Sequence, residues 1–175
     1  MQDLHQFDVK VFATKAENIG PYDLMRVFQR WIQKHTIPGV LIDAADYSHM
    51  HNGPGVILVA HEFNVSLDRV GGRPGMLYHQ KQPLEGDFAA RIGQVIQSAR
   101  TCAGLLQGEP EMKDKLAFDL KHFLFIANDR ARTPDIGSLR ASVEEAARSV
   151  VGGGVSLEVR KGDPRERVAI EVRAA

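Results

Sequence analysis

The residues best suited to chemistry in this chain are histidines and acids between positions 46 and 79. His49 and His51 are separated by a single residue, and Asp46 lies just upstream. In an extended segment, residues two apart point the same way. Two imidazoles and a carboxylate form a common donor set for zinc or iron. Asp46, His49 and His51 are therefore candidate ligands of a divalent metal, the one cofactor the sequence suggests. Further on, the apolar run Val56–Ala60 leads into His61 and Glu62, and His79 follows the segment "VGGRPG". Together, His61, Glu62 and His79 could supply histidine-dependent acid–base chemistry.

Geometry separates these two groups. If residues 40–46 and 55–62 form a hairpin, His49 and His51 sit in its loop, and His61 lies about 20 Å away along the strand. Ligands of one metal sit only a few ångströms apart. His61 has another candidate neighbour if residues 61–68 pair with 76–80. With His79 opposite Phe63, His61 becomes its diagonal neighbour within ~8 Å. Glu62 and Tyr78 would then share the opposite face. A register slip of one residue dissolves the pair. The plainer account of both groups is a solvated turn and a polar strand end.

Three further features bear on ligands. "NGPG" and "VGGRPG" offer backbone amides that could cradle an anion, but neither carries the phosphate-loop pattern, and turn geometry explains the glycines. Arg73 is the residue to watch for an acidic ligand. Asn128, Asp129 and Arg130 follow the apolar "FLFIA", a common place for binding residues and an equally common place for loop chemistry. Cys102 falls deep in a helical pattern with no base to activate it, so it reads as a small apolar side chain.

The elements that must position these residues follow from periodicity. Residues 7–14 alternate as a strand. Pro21 opens a helix to about residue 35, with Leu24, Val27, Phe28, Trp31, Ile32 and His35 at steps of three and four. Strands follow at 40–46, at Val56–Ala60 running on into 61–68, and at 76–79. A second helix spans 86–107, a strand 117–127, and a third helix opens at Thr133-Pro134 as N-cap and first residue. Two alternating strands, "VSLEV" and "VAIEV", close the chain. The order is β-α-β-β-β-α-β-α-β-β. It implies an α+β fold: mostly antiparallel sheet with helices on one face, over a single domain spanning 1–175. Segments 7–62 and 117–173 repeat the same pattern, which suggests two fused βαββ modules bridged by helix 86–107.

Bulk properties exclude several classes. The chain has 175 residues, 43% hydrophobic and 25% charged, with a formal net charge of zero. Residues 1–87 carry a slight acidic excess and 88–175 a slight basic one. No basic field points to nucleic acid. A lone cysteine excludes an intrachain disulfide, and no apolar run is long enough to span a membrane. The N-terminus has no signal-peptide pattern, so the expected location is the cytoplasm.

The stretch "LIDAADYSHMHNGPGVILVAHEFNVSLD", followed by "GGRPGMLYHQK", resembles a group of small uncharacterised bacterial proteins. The resemblance runs from the first helix through "IANDR". It implies an intracellular bacterial α+β fold and no mechanism, so no functional residue carries over from it. Two function classes remain. One is a non-enzymatic binding or assembly module, with a protein partner or a second copy pairing through its terminal strands, or with an unidentified small molecule. The other is a metal- or histidine-dependent enzyme centred on residues 46–62 and His79. Convergence of His61, Glu62 and His79 on a pocket would favour the second; a flat apolar patch would favour assembly.

Overall fold

The alternation in "FDVKVF" decides how the sheet is covered. In the computed structural model, which describes residues 4–129, 135–160 and 166–175, this segment opens strand β1 (Phe7–Ala16). Phe7, Val9 and Val11 turn toward the helices, and Asp8, Lys10 and Phe12 turn to the other face. Strands β2 (Leu41–Asp46), β3 (Val56–Ala60), β4 (Phe63–Asp68), β5 (Gly75–Gln80), β6 (Leu116–Ala127), β7 (Val155–Arg160) and β8 (Ala169–Ala174) join β1 in one sheet. Its order is β2-β3-β4-β5-β1-β6-β8-β7, with every neighbouring pair antiparallel. Helix α1 (Pro21–Lys34) lies over β2 and β3, and α3 (Ile136–Val151) over β7 and β8. Helix α2 (Phe88–Gln107) lies over β1, β5 and β6 and also packs on α3. The fold is the expected α+β architecture.

The helices start where their capping chemistry is. Pro21 sits at the first turn of α1, and Asp23 reaches back to accept from the Gly20 amide at 3.3 Å. Asp87 caps α2 by accepting from the Ala90 amide at 2.8 Å. Asp135 does the same for α3 through Ser138 at 3.1 Å, so the observed cap is Asp135. Thr133 and Pro134, the expected cap and first residue, lie outside the described residues. His35, expected on the apolar stripe of α1, is instead its left-handed C-terminal residue at φ 49°.

One core lies between the helices and the sheet. It joins Leu24, Phe28 and Trp31 of α1, Ile92, Ile96 and Leu106 of α2, and Leu139 and Val143 of α3 to the inward residues of the strands. The run 56–68, expected as one strand, is two. His61 and Glu62 make a tight turn between β3 and β4, and Leu58 pairs with Val65. Neither turn residue has a positive φ, so no glycine or asparagine marks it. The sheet therefore has eight strands among the described residues, where seven were expected. Ile57 alternates outward, and Val56, Leu58 and Ala60 face the core.

Candidate functional site

The sheet face away from the helices carries the chemistry. Register fixes its rows. One runs Asn64, His79, Asp8, Ile126, Ala169, Arg160; the next runs Ser66, Leu77, Lys10, Leu124, Glu171, Glu158. No helix covers this face among the described residues, yet Asp8, Lys10 and Glu171 are only 3%, 4% and 6% exposed. Phe12 and Leu124 are also buried there, outside the main core. Long side chains seal them. A guanidinium from the β4–β5 connection, that of Arg73, lies over the Phe12 ring, 3.9 Å from its centre. Such stacking suits a planar cation.

Glu171 is the hub. Arg73 donates to it twice, at 3.0 and 2.8 Å. Arg160 donates at 3.0 and 2.7 Å, and Arg173 at 3.2 Å. His122 Nε2 lies 2.6 Å from the same carboxylate. Burial pushes the Glu171 carboxyl up, but the hydrogen bonds from Arg73, His122 and Arg173 outweigh it and hold it at about 2. A single carboxylate thus faces three guanidinium groups. Beside it, Lys10 Nζ donates to Asp68 at 2.5 Å.

A second cluster flanks the hub. His79 Nδ1 lies 2.5 Å from Asp8 Oδ1. Asn128 Nδ2 donates to the same oxygen at 2.5 Å, and its own Oδ1 accepts from Arg167. Arg167 Nη1 stands 3.6 Å from Asp8 Oδ2. Between the clusters the sheet leaves a hollow of about 190 Å³. Its wall includes Asp8, Lys10, Asp68, Arg73, Arg160 and Arg167, with Leu77, Leu124 and Ile126 as apolar floor. A neighbouring, more open hollow of about 720 Å³ shares Arg160 and Arg167 and adds Glu158 and Glu166.

The structure distributes the residues picked from sequence. Arg73 and Asn128 come together on this face. Asp129 follows Asn128 in the loop after β6, and Arg130 lies outside the described residues. His79 also reaches the face, but opposite Asn64 rather than Phe63. That one-residue slip, set by the glycine turn at Gly71 and Gly72, removes its pairing with His61. His61 and Glu62 sit in the β3–β4 turn, where they hold the start of β2: the His61 amide donates to the Val40 carbonyl at 2.9 Å, and Glu62 accepts from the Val40 amide at 3.0 Å. Tyr78 turns into the core, stacks on Phe63 at 4.7 Å, and has its phenol pushed upward by burial.

Asp46, His49 and His51 stay in or beside the exposed β2–β3 loop. Asp46 accepts from the Ser48 amide at 2.8 Å, and His49 sits against the Tyr47 ring. Among the described residues, no three His, Cys, Asp or Glu side chains gather at metal-binding distance. Cys102 is buried, and burial raises its thiol to about 12, which removes it as a nucleophile at neutral pH.

Sequence reasoning missed Asp8, Lys10, His122, Arg160, Arg167 and Glu171. One signal was available: charged residues alternating inside two strands that the topology makes interior, "FDVKVF" and "VAIEV". Nothing local says that these strands end up side by side with β6. No family model, curated protein or solved structure matches the chain.

Proposed function

We propose that the protein is a binding module for a small anionic ligand, held in the hollow on the uncovered sheet face. The observation that carries this reading is the charge imbalance at Glu171, where three guanidinium groups share one carboxylate. Arg160 and Arg167 keep 40% and 51% of their side chains exposed, so an anion arriving over the apolar floor of Leu124 and Ile126 reaches guanidinium donors directly. Arg160 and Arg167 line the hollow and have planar donor arrays suited to phosphate or carboxylate oxygens. The hollow is recessed and rimmed by charge over an apolar floor, which favours ligand binding over assembly through a flat apolar patch.

Inorganic phosphate is the first probe. A ligand that binds only the folded state raises the melting temperature with concentration. We expect phosphate to raise it in the wild type at constant ionic strength, and much less in an Arg160→Gln/Arg167→Gln variant. Equal shifts in both, or none beyond those of a chloride control, would remove the reading.

A further inference from the structure

We infer that the ligand carries a hydroxyl group near its anion, and that His79 Nε2 accepts a hydrogen bond from it. This rests on the anion-binding reading above. Arg167 can only donate. It therefore fixes the Asn128 amide with Oδ1 toward itself and Nδ2 toward Asp8. Asn128 Nδ2 and Arg167 both point donors at Asp8, so its oxygens accept. The 2.5 Å contact with His79, shorter than the 3.2 Å between Asn128 Nδ2 and the same ring nitrogen, places the ring proton on Nδ1. In the neutral ring, Nε2 then carries a lone pair. The described residues supply no hydrogen bond to that nitrogen, and the His79 side chain is one-third exposed.

Asp8 and Leu77 both line the hollow, and His79 follows Leu77 on the same face of β5. His79 stands just outside the lining, beside Asp8, so a ligand held by Arg167, which is 3.6 Å from Asp8, meets an acceptor where it extends over Asp8 toward β5. A second anionic oxygen there would be repelled by the lone pair and by Asp8, whereas a hydroxyl satisfies it. The matching class is a polyol phosphate or a hydroxycarboxylate. Both share one chemistry, an anion with a hydroxyl a few bonds away.

The test uses the full chain and two measurements. Nitrogen-15 NMR of the imidazoles should show His79 protonated on Nδ1 with Nε2 bare. Calorimetry should show glycerol 3-phosphate binding up to about tenfold tighter than ethyl phosphate, the scale of one added hydrogen bond. A lactate and propionate pair reads the carboxylate source in the same way. In His79→Phe the ratio of the two affinities should fall to one. A ring protonated on Nε2, or equal affinities within both wild-type pairs, overturns the inference and leaves anion binding standing. Failure of every anion to bind overturns both readings. If His79→Phe does not fold, the wild-type spectrum and ligand pairs decide alone.

Discussion

At the residue scale, Gly75 shows how little room the site leaves. A Cβ added there would stand 2.6 Å from the Val11 carbonyl oxygen and 2.9 Å from the Lys10 side chain. The backbone oxygen cannot swing away, so Gly75→Ala should push β5 off β1. We expect a loss of about 1–3 kcal/mol in urea unfolding, the usual cost of overpacking. An unchanged midpoint would mean that the β1–β5 contact is looser than described. The same scale shows what reading residues in order does not reveal. Arg73 and Asn128 were recognisable as ligand candidates because arginine in a glycine turn and polar residues after a buried strand are local signals. Glu171 was not, because its importance comes from Arg73 and His122, which reach it from a distant loop and another strand. His79 was recognisable as a chemical residue, but its neighbour was not: the partner depends on a register that a six-residue connection can shift by one.

At the element scale, Glu171 ties four pieces together. It sits on β8 and receives side chains from the β4–β5 connection, from β6 and from β7. Its carboxyl is lowered from 4.5 to about 2. A carboxyl depressed by folding contributes stability that is complete above its unfolded value and disappears as pH falls through the folded one. The stabilisation is therefore present at neutral pH and lost between pH 4.5 and about 2, an upper bound of about 3 kcal/mol. Urea midpoints followed down this range should fall more steeply for the wild type than for Glu171→Gln. Parallel curves would show that the carboxylate adds nothing the neutral amide lacks. Element boundaries were mostly legible, because α1 and α2 have strong periodicity and clear ends at Pro38-Gly39 and Gly108. The β3–β4 turn was not, because its two residues keep ordinary backbone angles and leave no mark in composition.

At the scale of the whole molecule, the pairing of β1 with β6 is the seam between the chain's two halves. The first half adds β5, β4, β3 and β2 on one side of the seam, and the second adds β8 and β7 on the other. Helix α2 bridges it, and the core runs through without a break. We expect one cooperative transition in calorimetry, with backbone and aromatic signals changing together. Two separated transitions would show that the halves hold themselves up independently.

The seam also has a consequence for how the chain is made. Phe7 pairs with Gln80 on one side and with Ala127 on the other. During synthesis β5 reaches β1 well before β6 does. The first half can therefore assemble while the central strand of the final sheet is still an outer one, its backbone amides and carbonyls open along one side. Such an edge templates pairing with other chains. The charged residues that later line the ligand hollow are then already in place: Asp8 and Lys10 put charge on one face of the unfinished strand, and burying that face in an apolar aggregate is costly. The same side chains that line the site in the mature protein guard the strand while it waits for its partner.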